Sequence, residues 1–433
     1  MLNFDERTGP SFGEPASSYP ESGAPRWWMD AKLGFFIHLG IFSVPAWALT
    51  GDAATPVEDE YKYHRYAEWY GNTVRIEGSP TRKWHDESYG IGTSYEDLAD
   101  HWDASAFDAT ALVDSLVDAG AQYIVPTTKH HDGFCLWGTA TTPFNSVVRG
   151  PRRDFIQELH DATRAAGARF GVYFSGALDW HVSDFPPIQS DRELFLFRRN
   201  DESFARYATT QLEELIARFD PDILWNDIEW PDAGKKDDNF GLSAVFSRYL
   251  QRVPAGAIND RWGIPYRGFS TREYRRIDAL LDYPWEATRG LGRSFGYNRN
   301  ETDTDSMSGG DLVQLLVDVV AKNGNLLINV GPRPDGSIPD VQAEAMNVMG
   351  DWLRVNGEAV YGTRPWREGV FGQQRIVEKD SVAYVHVLEG DRLDLPSDLQ
   401  GRPIQWLGAD RSGIEVPAQL RNAPVAVARV QLH

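Results

Sequence analysis

Apolar runs of strand length recur through the first four fifths of the chain, and each gives way abruptly to polar residues. Gly34-Phe-Phe-Ile-His-Leu-Gly40, residues 122–137, residues 169–175 and Asp222-Ile-Leu-Trp-Asn-Asp-Ile-Glu-Trp230 all read this way. Between them, apolar residues at helical spacing predict helices over 108–119, 154–166, 204–219, 311–322 and 339–355, with Gly120 and Gly167 as stops and Pro339 as a start. Residues 257–258 and 325–330 read as further strands, and 283–286 and 294–298 as short, irregular ones. Strands alternating with helices in this number predict parallel β/α units, and about eight strands over roughly 350 residues suit an irregular (β/α)8 TIM-like barrel over residues 26–357. The alternative, an open doubly wound sheet, lacks the glycine-rich phosphate loop expected after a strand. From Trp366 the period changes to two, which predicts a C-terminal antiparallel β-sandwich over 364–433 beyond a boundary near 356–364. Residues 1–25 read as a polar N-terminal extension, and residues 50–92 as a long polar insertion of the kind that carries function.

Composition narrows the partners. The 433 residues carry a net charge of −20, which repels nucleic acid and anionic membranes. The single cysteine, Cys135, leaves no intrachain disulfide and no cysteine-based zinc site. No basic segment followed by an apolar core opens the chain, and no stretch is apolar enough to span a membrane, so a cytoplasmic protein is expected.

In a barrel of this kind the C-terminal ends of the strands open onto the active site. Those ends carry His38, His130, His131, Asp132, Tyr173, Asp227 and Arg261, with Trp69, Trp137, Trp225 and Phe295 among the chain's fifteen tryptophans and many phenylalanines. Aromatic rings mixed with histidine, arginine and carboxylates suit a sugar, whose apolar faces stack while its hydroxyls need directional partners. A catalytic metal is disfavoured, because adjacent His130 and His131 on an extended segment would point to opposite sides and no His-x-His or His-Glu-x-x-His occurs. No cofactor is expected. Glycoside hydrolysis needs two carboxyl groups flanking the scissile bond. Asp227 is the best nucleophile candidate; Glu229 sits too near it in sequence to face the opposite side, and the residues alone do not choose between Glu273, in a polar loop, and Glu286, at a strand end.

Five motifs in order, Gly34-Phe-Phe-Ile-His-Leu-Gly40, Thr128-Lys-His-His-Asp-Gly-Phe134, Leu224-Trp-Asn-Asp227, Asn259-Asp-Arg-Trp262 and Ser294-Phe-Gly-Tyr-Asn-Arg-Asn300, resemble those of the α-L-fucosidases of glycoside hydrolase family 29, and Asn325-Leu-Leu-Ile-Asn-Val-Gly-Pro332 extends the match. The resemblance implies a retaining exo-hydrolase of terminal α-L-fucose acting through a covalent fucosyl-enzyme intermediate, on a fucosylated oligosaccharide or glycoside. It places the nucleophile on Asp227 and, through Thr271-Arg-Glu-Tyr274, the acid/base on Glu273, with Glu286 the runner-up. Fucose-binding positions fall on His38, Glu68, Trp69, His130, His131, Tyr173, Trp225, Arg261 and Phe295. It also implies an irregular barrel followed by a β-sandwich, and leaves a homo-oligomer open. Two other readings stand beside it: a retaining hydrolase of a related sugar such as an α-L-galactoside, and a non-catalytic fucose-binding protein on the same barrel.

Overall fold

The early strands are buried on both faces, and their alternate residues point to opposite sides of one curled sheet. The computed structural model describes residues 19–20, 23–51, 59–236 and 238–432, so the N-terminal extension lies mostly, and the polar insertion partly, outside the described residues. Eight strands, β1 (Leu33–Ile37), β2 (Tyr123–Lys129), β3 (Arg169–Ser175), β4 (Ile223–Asp227), β5 (Ala257–Ile258), β6 (Ser270–Glu273), β7 (Trp285–Gly290) and β8 (Gly324–Val330), form one parallel sheet in the order β5-β4-β3-β2-β1-β8-β7-β6. Phe36, Tyr123, Val125, Tyr173, Ile223, Trp225 and Leu327 point inward and pack on one another, with Trp28 and Phe269 stacked at 4.4 Å beside them. The alternate residues, including Phe35, Ile124, Val172 and Leu224, face the surrounding helices. Side chains of Asp108, Asp154, Asp201 and Ser308 cap four of those helices by accepting from the backbone N–H three residues on.

The irregularity is confined to one side. Among the described residues no helix connects β5 to β6 or β6 to β7, and no ladder joins β5 to β6. That seam is stitched instead by the backbone N–H groups of Gly268 and Phe269 donating to Ile258 O at 2.9 and 3.2 Å, and by Thr271 N and Oγ1 donating to Asp260 Oδ1 at 3.0 and 2.9 Å. Two expectations are corrected here. Glu273 ends strand β6 rather than lying in a loop, because residues 270–273 pair in register with 285–288 of β7. Residues 294–298 form no strand; their N–H groups turn to side-chain carboxylates.

The antiparallel C-terminal unit comprises β9 (Arg364–Phe371), β10 (Gln374–Lys379), β11 (Val382–Val387), β12 (Ile404–Trp406) and β13 (Ala426–Gln431), hydrogen-bonded in the order β12-β13-β11-β10-β9. Val377, Tyr384 and Val427 face the barrel helices, while Ile376, Val385 and Ala428 face the opposite way, under Leu393, Leu395, Leu399 and Val416. Arg375 Nε donates to Asp318 Oδ1 at 2.6 Å and Trp352 Nε1 to Val425 O at 2.8 Å, fixing the sheet to helices Gly309–Ala321 and Asp340–Asn356.

Candidate active site

A cavity of about 260 Å³ opens at the C-terminal ends of the barrel strands, where inward-pointing positions turn from apolar to polar. Its wall includes His38, Glu68, Trp69, His130, His131, Tyr173, Trp225, Asp227, Arg261, Glu273 and Phe295. Sequence reasoning named all eleven, on eight separate segments. Glu286, the alternative acid/base, is not on the wall. It is fully buried behind Trp225, accepting from Trp225 Nε1 at 2.9 Å and from Tyr123 Oη at 2.6 Å, and burial lifts its carboxyl to about 7. Glu229 points away as well, held by Lys235 Nζ at 3.0 Å.

Asp227 is presented by a sharp exit from β4. Ile228 and Glu229 both take left-handed backbone angles, φ 57° and 60°, which a β-branched residue adopts only under strong local constraint. Part of that constraint is Asn226, whose Nδ2 donates to Glu229 O and Arg261 O, both at 2.8 Å. Gly176 makes the turn possible, since a Cβ there would lie 2.1 Å from Glu229 O. The Asp227 carboxylate accepts from Ile228 N (2.9 Å) and Arg261 Nη1 (3.1 Å) on Oδ1 and from Tyr173 Oη (2.8 Å) on Oδ2. Burial raises the Tyr173 phenol well above its ordinary range, so it remains a donor. The same Arg261 Nη1 donates to Glu273 Oε2 at 2.9 Å. Arg261 is itself set by Thr271 Oγ1, which accepts from its Nε at 2.8 Å, and its guanidinium lies 4.8 Å from the centre of the Trp225 ring.

Hydrogen bonding fixes the tautomers of two histidines. Ser175 Oγ donates its one proton to Leu178 O at 2.7 Å, so at 2.7 Å from His131 Nδ1 it must accept, which leaves neutral His131 Nε2 as a bare acceptor 3.8 Å from Asp227 Oδ2. Asn329 Nδ2 donates to Phe295 O at 2.6 Å, so its Oδ1 accepts from His38 Nδ1 at 2.6 Å and His38 Nε2 is likewise an acceptor. Burial lowers His38 to about 4 and His131 well below the usual imidazole range, keeping both neutral at neutral pH. His130 and His131 do not point apart as the sequence predicted. Strand β2 ends at Lys129, and Gly133 N donates to His130 O in a turn that brings the two rings within 4.1 Å, both on the cavity wall. In that turn Gly133 has φ +79°, and a Cβ on it would lie 2.2 Å from Asp179 Oδ1, the carboxylate bound to buried Lys129. Among the described residues no group of three or more His, Cys, Asp or Glu is arranged to hold a metal ion.

Glu68 is spent on structure as much as on the cavity. It accepts from Gly296 N at 2.8 Å, Phe295 N at 3.3 Å and Ser294 Oγ at 3.3 Å, and Glu301 accepts from Ser294 N at 2.8 Å, so carboxylates hold Phe295 in place. Burial lifts Glu68 to about 7. Sequence reasoning missed the rim: Tyr61, His64 and Tyr66 from the polar insertion, Asp191 and Leu194 from helix Asp191–Leu196, and Tyr274. The signal was the aromatic run Tyr61-Lys-Tyr-His-Arg-Tyr66, immediately before Glu68-Trp69.

Known proteins resemble the chain along most of its length. The family model described as alpha-L-fucosidase matches residues 5–358. The human tissue alpha-L-fucosidase is 32% identical over 357 residues, covering 79% of this chain and 70% of that protein, and the plasma alpha-L-fucosidase of Rattus norvegicus is 34% identical over 355 residues, covering 79% and 72%. Among solved structures, the alpha-fucosidase of Thermotoga maritima in complex with a mechanism-based inhibitor superposes with a TM-score of 0.86 at 41% identity, covering 94% of this chain and 97% of that one. Another, an alpha-L-fucosidase, gives 0.87 at 42%, covering 95% and 98%. No described helix is long and apolar enough to cross a membrane.

Proposed function

The chain belongs to the alpha-L-fucosidase family of glycoside hydrolases, and from that premise we propose that it removes terminal α-L-fucose by double displacement, with Asp227 as nucleophile and Glu273 as acid/base. The observation that carries this reading is the shared nitrogen. With Arg261 Nη1 at 3.1 Å from Asp227 Oδ1 and 2.9 Å from Glu273 Oε2, those oxygens are no more than about 6 Å apart. Retaining glycosidases place their carboxyls roughly 5 to 5.5 Å apart, and inverting ones leave about 6.5 to 9.5 Å for a water. The spacing favours direct attack.

Asp227 Oδ2, which accepts one donor where Oδ1 accepts two, attacks the anomeric carbon as the bond to the aglycone oxygen breaks and Glu273 delivers its proton to that oxygen. In the second half Glu273 takes a proton from water, whose oxygen displaces Asp227 from the anomeric carbon. Arg261 keeps a positive charge beside both carboxylates throughout. His38 and His131, acceptors at Nε2, take hydrogen bonds from fucose hydroxyls, and Trp225 and Phe295 cover its apolar surface. Glu273→Ala assayed on an aryl α-L-fucoside with a good leaving group tests the assignment: turnover is expected to fall and to be restored by azide, with fucosyl azide as product. Turnover unaffected by the substitution, or azide rescue appearing in Glu286→Ala instead, overturns it.

A further inference from the structure

We propose that His64, on the polar insertion, is a hydrogen-bond donor to the leaving group and tunes the site toward aglycones that are themselves sugars. This rests on the fucosidase reading above and extends it to the other side of the scissile bond.

Three observations support it. First, the ring has one defined tautomer. Tyr66 N–H donates to His64 Nδ1 at 3.1 Å, so the neutral ring carries its proton on Nε2, the reverse of His38 and His131. Burial drives His64 down to about 3, so the ring is neutral at neutral pH, with that N–H in place. Second, the ring is held flat. It stacks on Trp69 at 5.1 Å with planes 5° apart and lies 5.8 Å from Tyr61, whose hydroxyl donates to Asp191 Oδ1 at 2.8 Å and ties the insertion to helix Asp191–Leu196. Third, it stands on the rim, in a chain of rings that reaches from Trp69 to the residue after the proposed acid/base. His64 is 5.1 Å from Tyr66, and Tyr66 is 6.4 Å from Tyr274, the residue after the proposed acid/base. All three rings line the cavity, while the glycone end is walled by His38, His130, His131 and Trp225.

A fixed N–H donor beside an aromatic surface is what a second sugar uses. Its ring presents acceptor oxygens next to an apolar face, whereas a simple aryl or alkyl aglycone offers the face without the oxygens. The donor contributes only when an acceptor reaches it. About 1 kcal/mol for a neutral hydrogen bond corresponds to a several-fold change in kcat/KM on sugar aglycones alone.

The test uses two isosteres of opposite ends of the ring in the full chain. In His64→Gln the amide nitrogen stands where Nε2 was; in His64→Asn the side-chain oxygen stands where Nδ1 was and no N–H reaches the place of Nε2. Each is compared with the parent on an aryl α-L-fucoside and on fucosylated disaccharides. The expected result is a loss common to both variants on the aryl fucoside, from the missing stack on Trp69, with His64→Asn losing several-fold more in kcat/KM than His64→Gln on at least one disaccharide. Equal losses on aryl and sugar substrates would mean that His64 only packs Trp69 in place, and indistinguishable Asn and Gln variants on every disaccharide would remove the donor role; either outcome overturns the proposal. A parent enzyme inactive on the aryl fucoside would instead overturn the fucosidase reading.

Discussion

Glu286→Gln separates burial from chemistry at the carboxyl that sequence reasoning left as an alternative acid/base. Both donors to Glu286, Tyr123 Oη and Trp225 Nε1, lie in the packed barrel interior. A glutamine oxygen accepts from one of them and its NH2 faces the other, so one buried donor loses its partner at a cost of about 1 to 3 kcal/mol. The charge acts in the other direction. Burial raises the folded-state value to about 7, above that of an unfolded chain, so the carboxyl's contribution to stability is fully present below about pH 4.5 and is lost as pH rises through about 7. At about 1.4 kcal/mol per unit, that loss amounts to about 3 kcal/mol, and the glutamine does not suffer it. The variant is therefore expected to be less stable than the parent at pH 5 and to close or reverse the gap at pH 8. Urea unfolding at both values, read as midpoint at constant slope, measures this. Azide is expected to restore no activity. A deficit that widens with pH, or azide-restored turnover, would refute the reasoning.

Asp227→Ala is expected to abolish turnover while leaving a folded protein that still binds fucose, measured by calorimetry; normal activity would sink the assignment. Tyr173→Phe keeps a fully packed ring but removes the hydroxyl that donates to Asp227 Oδ2, and at about 1.5 to 3 kcal/mol for a hydrogen bond to a charged group, kcat/KM is expected to fall by about 10- to 100-fold.

What the sequence disclosed follows from where order is local. Inward-facing positions of β1 to β4 alternate strictly, so an apolar run ending in a polar residue was enough to find His38, Tyr173 and Asp227. The pattern failed where a side chain replaces the ladder. Residues 270–273 are short and polar because Thr271 spends its backbone N–H and its hydroxyl on Asp260 across the seam, and residues 294–298 resemble a strand although their N–H groups bond Glu68 and Glu301. The orientation of His130 beside His131 depends on a turn set by Gly133 and Asp179, residues whose meeting is not written in any short window. Spacing alone left Glu273 and Glu286 open because the burial of Glu286 behind Trp225 is a long-range fact: the two are 61 positions apart.

The seam between β5 and β6 separates the proposed nucleophile from the proposed acid/base. Asp227 belongs to the continuous sheet, where shifting it would mean breaking paired backbone along β3 and β4. Glu273 lies beyond a gap bridged by Asp260, Thr271 and Arg261. Rebuilding the connection around it breaks the four-residue pairing of β6 with β7 and a handful of side-chain contacts, and leaves the β3–β4 register intact. The proposed proton donor is thus held by the edge of the sheet, and the proposed nucleophile by its continuous part.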